Sequence, residues 1–181
     1  VAKLDEGIRA VDGTGFSVTP VINGGPLAAA LGLNVDLKVK VEIDSVGGSH
    51  KARHLFGVAL HSAVENIAKD SPTGSLAIAS CGNAAIAAAI VAKAIDQPIE
   101  VFVPVWAERS ALDLLRDLGA QIQVCKPATH EKGDPCYARF QQAIANGCRP
   151  FGVQGTDTPA AFDGGRTLGW ELHDQVPNLD T

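Results

Sequence analysis

The stretch SLAIASCGNAAIAAAIVAKAI at residues 75–95 combines a short apolar run, a turn that contains glycine, and a long alanine-rich segment. Residues 75–80 are typical of a buried strand, whereas the segment from Ala84 to Ile95 is long and rich in helix formers. Gly82 permits a tight turn between them, and Asn83 is a favoured N-cap residue. The stretch therefore predicts a strand, a turn and a buried helix.

The same alternation recurs along the rest of the chain. Further strands are predicted at residues 37–43, 98–104, 120–125 and 149–154, and further helices at residues 51–68, 109–118, 135–145 and 163–173. Strands that alternate with helices are joined by right-handed crossovers and form a parallel sheet that is covered on both faces. The pattern therefore predicts an α/β fold with three layers, α/β/α, built on a parallel sheet.

Composition and charge exclude several classes of protein. The chain has 181 residues, of which 46% are hydrophobic, and a formal net charge of -5. This length suits one ordinary domain or two small ones, and the apolar content is sufficient for a well-filled core. The sequence contains no run of lysine and arginine with interleaved aromatic residues, so we expect no nucleic-acid partner.

The cysteine spacing and the apolar runs exclude further classes. The four cysteines are too far apart in the sequence for a CxxC pair, and no HExxH motif occurs, so we expect no metal site: Cys81, Cys125, Cys136 and Cys148. In an apolar-rich chain without a signal-like N-terminus we expect reduced thiols and a cytoplasmic location. The longest apolar run, residues 84–95, is too short to cross a bilayer and contains Lys93, so we expect no membrane partner.

Two loops with glycine follow predicted strands and precede predicted helices. They are SVGGSHK at residues 45–51, here called the lysine loop, and SCGNA at residues 80–84, here called the asparagine turn. In open parallel sheets, ligands bind beyond the carboxyl ends of the strands. The asparagine turn offers backbone N–H groups at a helix start, which suit a carboxylate or a phosphate. The local residues are equally consistent with a capped, buried helix that binds no ligand.

Lys51 stands behind a pair of glycines and at the start of a helix, where a cation is electrostatically disfavoured. The positive field of the helix start, together with burial, favours the uncharged amine, which is the form that attacks a carbonyl and forms a Schiff base. A solvated surface lysine is the alternative interpretation, and it is the common one for a lysine taken at random. The local residues permit both.

The combination of the two loops resembles a known family. GGSHKAR at residues 47–53, followed by SCGN at residues 80–83, resembles the fold-type II pyridoxal-phosphate enzymes, which include the tryptophan synthase β chain, threonine synthase and the serine and threonine dehydratases. Further matches are TPV at residues 19–21, VFVP followed by LGAQIQVC, and DGGRTLGWEL at residues 163–172. The resemblance extends from about Thr19 onward. Ala52 stands where many relatives have aspartate, which leaves the partner of Arg53 open.

The resemblance implies a tryptophan synthase β-like fold, pyridoxal 5'-phosphate as cofactor and a small amino acid as substrate. Lys51 would form the Schiff base with the cofactor and then move the substrate α-proton. Asn83 would hydrogen-bond the phenolic oxygen of the cofactor, and His50 would lie near its phosphate. The asparagine turn would hold the substrate carboxylate through its residues Ser80, Cys81, Gly82, Asn83 and Ala84.

The implied activity is that of a lyase or synthase, by β-elimination or by β/γ-replacement on a serine-, threonine- or homoserine-type substrate, in a homodimer. Relatives are longer, so we expect an incomplete second domain. Residues 1–18 would be an N-terminal extension, residues 19–49 and 153–181 parts of the larger cofactor domain, and residues 50–152 a smaller α/β domain that carries the asparagine turn. Two alternatives stay open: a tryptophan synthase β-like replacement enzyme, and a non-catalytic remnant or regulatory binding module on the same scaffold.

Overall fold

The structure is a computed structural model that describes residues 1–69, 74–127 and 133–177. Its helices are Ala2–Asp12 (α1), Gly25–Ala30 (α2), Lys51–Lys69 (α3), Asn83–Ala94 (α4), Arg109–Asp117 (α5), Pro135–Ala145 (α6) and Ala161–Gln175 (α7). Its strands are Val21–Asn23 (β1), Lys38–Lys40 (β2), Leu76–Ala79 (β3), Ile99–Pro104 (β4), Gln121–Cys125 (β5) and Arg149–Pro150 (β6). A single 3₁₀ turn at Val46–Gly48 precedes α3.

The central feature is a parallel sheet of four strands in the order β5-β4-β3-β6. The register pairs Leu76 with Ile99 and Val101 with Ile122. The two inner strands are almost wholly apolar, which is expected when helices cover both faces of a parallel sheet. The α/β class predicted from the sequence is therefore confirmed.

The side chains of the sheet alternate between two separate clusters of buried residues. Ile78, Val101 and Val103 face the cluster that includes α3, α4 and Leu115 of α5. Ala77 and Phe102 face the opposite way, against α6. Helix α4 is rich in buried alanine because small side chains let its backbone lie close to the sheet and to α3 at the same time. The three predicted layers are thus present.

Two elements differ from the predicted strands. The strand expected at residues 37–43 is limited to Lys38–Lys40 and pairs antiparallel with β1, outside the parallel sheet. Its alternating lysines favour a half-exposed ribbon over a strand that is covered on both faces. The last strand ends at Pro150 instead of residue 154. After Phe151 donates one further hydrogen bond to Ala77 O (2.8 Å), the chain turns, and Thr158 N bonds Gln154 O at 3.0 Å.

The N-terminal segment contains a helix that the sequence prediction missed. Leu4, Ile8 and Val11 recur at helical spacing on α1; Ile8 belongs to the main cluster of buried residues, and the partly buried Leu4 and Val11 pack against it. Ile8 is fully buried, and α1 packs against α4. The segment at residues 1–18, expected to be an extension, therefore contributes to the core. No helix in the described ranges is long and apolar enough to cross a membrane.

Helices α3 and α7 cross backbone to backbone at two glycines. A Cβ atom on Gly57 would lie 2.7 Å from Gly164 N, and a Cβ atom on Gly164 would overlap the carbonyl oxygen of Arg53. Larger residues at either position would push the helices apart. This close crossing fixes the distance between α7 and the first turns of α3, where the predicted catalytic lysine lies.

Candidate active site

The lysine loop owes its shape to its two glycines. Gly47 and Gly48 have φ angles of 65° and 69°, in the left-handed region that favours glycine. Gly47 also lies directly on α4, since a Cβ atom there would be 3.3 Å from Ile90 Cδ1 and 3.6 Å from Ala87 Cα. The glycine pair thus brings the loop down onto α4, one helical turn from Asn83, before α3 begins at Lys51.

Lys51 is the first residue of α3, as the sequence predicted, and it is half-buried. Its backbone N–H donates to Ser49 Oγ at 3.4 Å. The amide dipoles of a helix give its start a partial positive charge. The side chain of Lys51 is therefore attached at a position where anions, and not cations, are stabilised.

His50, which precedes the lysine, is held uncharged at neutral pH. Burial is the main cause that lowers the pKa of His50 below its ordinary value of 6.5, and the positive charge of Lys51 lowers it further. The ring of His54 lies 5.8 Å away, centroid to centroid, and His54 Nδ1 is 3.0 Å from the carbonyl oxygen of Ala161. Because that oxygen only accepts, Nδ1 of His54 carries the proton.

The asparagine turn begins α4, but its N-cap is Gly82 and not the predicted Asn83. The Gly82 carbonyl accepts hydrogen bonds from Ala85 N (2.9 Å) and Ile86 N (3.1 Å), so Asn83 is already the first helical residue. Gly82 has no side chain to offer as a cap, and within the described residues no side chain caps this helix. The N–H groups of its first turn are therefore available to an anion.

A cleft adjoins the asparagine turn on the side of α6. It has a volume of about 300 Å³ and lies beyond the carboxyl ends of β3, β4 and β5. Ser80 and Cys81 line it together with Phe102, Trp106 and Cys136, among others. In the part of the chain that the structure describes, the lining does not include Lys51, His50 or Asn83. The start of the asparagine turn therefore lies at this cleft, whereas the lysine loop packs on α4.

Arg53 makes an extensive set of polar contacts, and the sequence prediction left its partner open. Its side chain is 5% exposed. Nε and Nη2 donate to the two oxygens of Glu42 (2.8 and 3.1 Å), while Nη1 and Nη2 donate to those of Glu171 (2.6 and 3.0 Å). Thr19 Oγ1 and Thr167 Oγ1 accept further bonds at 3.3 and 3.2 Å.

Lys40 completes this group, which is called the arginine cluster below: Thr19, Lys40, Glu42, Arg53, Thr167 and Glu171. Its Nζ donates to Glu171 Oε2 and to the carbonyl oxygen of Thr19, both at 2.6 Å. Thr19 also donates to Glu171 through its backbone N–H (3.2 Å) and to Glu42 through its hydroxyl. Two cations and two carboxylates therefore balance in charge, as groups removed from water require.

The cluster shifts the pKa of two of its members, Glu171 and Arg53. Burial by itself would raise the pKa of Glu171, but hydrogen bonds from Arg53 and Lys40 outweigh it and lower that pKa to about 2. Burial likewise acts to lower the pKa of Arg53, yet its bonds to Glu42 and Glu171 raise it on balance. Glu171 and Arg53 are thus both charged at neutral pH. The signal in the sequence was Thr167 and Glu171, four residues apart on one helical face within DGGRTLGWEL.

Comparison with known proteins agrees with this architecture. A family model described as pyridoxal-phosphate dependent enzyme matches residues 14–181. No curated protein matches the chain significantly. Among solved structures, maize serine racemase is similar with a TM-score of 0.73 and 20% identity, over 99% of this chain and 51% of that chain.

Two other solved structures show the same relation. A pyridoxal 5'-phosphate-dependent aspartate racemase has a TM-score of 0.75 and 22% identity, over 99% of this chain and 52% of its own. The processed form of threonine deaminase isoform 2 from Solanum lycopersicum has a TM-score of 0.69 and 19% identity, over 90% of this chain and 44% of its own.

The chain spans about half the length of these structures, and at such identities the likeness shows the shared fold. The family model, in contrast, matches nearly all of the chain. The chain therefore belongs to the family of pyridoxal-phosphate dependent enzymes, whose cofactor is pyridoxal 5'-phosphate.

Proposed function

We propose that this chain carries the catalytic lysine and the substrate turn of a lyase or synthase that acts on a serine-, threonine- or homoserine-type amino acid. The observation that carries the proposal is the placement of Lys51. It begins a helix directly after a glycine loop that is packed on α4 one turn from Asn83. The names of two similar structures, a serine racemase and a threonine deaminase, support a hydroxy-amino acid as substrate.

The residues at this place fit the cofactor. Lys51 is half-buried as a residue, and its side-chain amine would attach to the cofactor's aldehyde. His50, uncharged at neutral pH, would lie toward the phosphate as a hydrogen-bond donor, and the exposed side chain of Asn83 would face the phenolic oxygen. When bound, the cofactor withdraws electrons from the α-carbon of the substrate.

Lys51 would have a second role, that of a general base. Its free Nζ would remove the proton from the substrate α-carbon as a general base. Proton transfer of this kind requires Nζ to lie within hydrogen-bond reach of that proton. The position of the lysine side chain must therefore be well defined.

The asparagine turn would hold the substrate. The carboxylate suits the N–H groups of the first turn of α4, which no side chain caps in the described residues. The cleft beside Ser80 and Cys81 is large enough for a small ligand, since small-molecule pockets measure upward of about 300 Å³. A substrate anchored by its carboxylate at the turn would thus have room beside it, and hydrogen bonds from these N–H groups would orient it.

The test compares two lysine variants of the intact protein. We expect the wild type to show the visible absorbance of a bound cofactor and to consume L-serine or L-threonine, with products assayed both as keto acid and as D-amino acid. Lys51→Ala should lose the absorbance, and its kcat should fall about 10²-fold or more because the general base is gone. Lys93→Ala is the matched control, since Lys93 is exposed on α4 and its Nζ donates to Asp117 O at 3.1 Å.

Three other outcomes of these experiments would contradict the proposal or favour one of its alternatives. If Lys51→Ala keeps both absorbance and activity, the assignment of the lysine is wrong. If the wild type binds a protein partner but takes up no cofactor, the non-catalytic module is the better description. If it joins indole to serine efficiently, the tryptophan synthase β-like alternative is the better one.

A further inference from the structure

We propose that Arg53 is a positioning residue for Lys51, and that it acts by closing the lysine loop through Glu42 and fixing it to α7 through Glu171. The inference rests on the proposed function of Lys51 and extends it to residues outside the site. It follows from where the arginine cluster lies relative to the loop, from its burial, and from the geometry of its bonds.

The ion pair of Arg53 and Glu42 spans the lysine loop. Glu42 precedes the loop, which runs from residue 45 to residue 51, and Arg53 follows it within the first turn of α3. The two residues are 11 apart in sequence and are joined by two hydrogen bonds, from Nε and from Nη2. The pair thus connects both ends of the segment that carries Lys51.

Such a connection matters because the loop contains two adjacent glycines. Glycine has the largest conformational freedom of any residue, so a loop shaped by Gly47 and Gly48 is held only by what fixes its ends and its contacts. Two contacts hold Gly47 itself: it packs on α4, and its backbone N–H donates to Asp12 Oδ1 at 3.3 Å. The Arg53–Glu42 pair adds a connection between the two ends of the loop.

The hydrogen bonds from Arg53 to α7 also fix the orientation of the guanidinium. Glu171 receives two parallel bonds from the guanidinium, the bidentate arrangement that fixes orientation as well as distance. The close contact of Gly57 with Gly164 already sets the separation of α3 and α7. The glycine contact does not fix the orientation of the first turn of α3. Arg53, two residues from Lys51, fixes that orientation.

Lysine cannot replace arginine in this arrangement. The guanidinium serves two carboxylates at once through a rigid planar fork, whereas an ammonium group is a point charge on a flexible stem. The Arg53→Lys variant keeps the buried positive charge but loses the fork. It therefore separates the effect of orientation from the effect of an unpaired charge.

The experiment uses the intact enzyme loaded with pyridoxal 5'-phosphate and three variants. These are Arg53→Lys, Arg53→Met and, as matched control, Arg166→Met. Arg166 lies on α7, is largely exposed and pairs with Asp163 at 2.9 Å. Three quantities are measured: kcat, KM, and the pH midpoint at which the visible absorbance of the lysine–cofactor linkage titrates.

We expect both Arg53 variants to form the linkage at Lys51 but to lower kcat about 10-fold to 100-fold, because a small misplacement of a reacting group has an effect of that order. The pH midpoint should shift, KM should change less than kcat, and Arg166→Met should match the wild type in all three. If Arg53→Met does not fold, Arg53→Lys decides alone.

The inference is overturned if Arg53→Lys retains the wild-type kcat and pH midpoint, even when its melting temperature falls, since the cluster is then only structural. Failure of the proposed function has a different signature: the wild type itself would show no linkage at Lys51.

Discussion

At the scale of single residues, the arginine cluster concentrates opposite charges where water is largely excluded. Arg53 and Lys40 face Glu42 and Glu171, and each carboxylate has at least two donors. Breaking a buried ion pair by removing one partner leaves the other charge uncompensated and typically destabilises a protein by about 3–5 kcal/mol. Substitutions in the arginine cluster, close to Lys51, should therefore lower the free energy of unfolding strongly.

The stability that the arginine cluster contributes depends on pH because of Glu171. Its pKa in the folded chain is about 2, against an ordinary value of 4.5. Because the folded value is lower, the carboxylate stabilises the fold fully above about pH 4.5, and this contribution is lost as the pH falls from there toward 2. We expect the free energy of unfolding, measured by urea titration across that interval, to fall with pH in the wild type.

Glu171→Gln should be less stable than the wild type by about 3 kcal/mol at neutral pH and should show a flatter pH profile between pH 4.5 and 2. Glu6→Gln is the control, since Glu6 is exposed on α1. A Glu171→Gln protein as stable as wild type at neutral pH, with an unchanged acid profile, would contradict the burial and pairing described for this carboxylate.

At the scale of elements, the residues that begin and end helices explain which boundaries were predictable. Helix α6 has its predicted bounds, Pro135–Ala145, because Asp134 caps it through a bond to Cys136 N (2.8 Å) and proline suits its first position. Helix α4 was predicted within one residue at each end. The strand at residues 37–43 was placed in the wrong sheet, since period-two alternation indicates a strand but not its partner.

The crossing of α3 and α7 gives a prediction at this scale. Gly164→Ala places a methyl group against the carbonyl oxygen of Arg53, so the helices must separate. Overpacking of this kind typically destabilises by about 1–3 kcal/mol. The measurement is the midpoint of thermal unfolding, compared with Gly169→Ala on the same helix.

Gly169 is exposed, and a Cβ atom there has no neighbour within 4 Å. Its replacement should leave stability unchanged or raise it by up to about 1 kcal/mol, through the better helix propensity of alanine. Equal effects of the two substitutions would mean that α3 and α7 do not approach as closely as described.

At the scale of the whole molecule, local patterns and long-range contacts differ in what they reveal. The lysine loop and the asparagine turn are local, so their residues were identified from sequence motifs. The arginine cluster joins residues as far as 152 positions apart, Thr19 with Glu171, and no periodicity encodes such pairs. Helix α3 packs against both α4 and α7. The division into a smaller domain at residues 50–152 and a larger one stays a prediction.

We expect the cofactor to attach to the protein at Lys51. The most direct measurement is to incubate the intact protein with pyridoxal 5'-phosphate, reduce it with borohydride, digest it and locate the cofactor by mass spectrometry. We expect a phosphopyridoxyl group on Lys51 and none on Lys93 or Lys40. A label on another lysine, or on none while the protein remains folded, would show that Lys51 is not the attachment site.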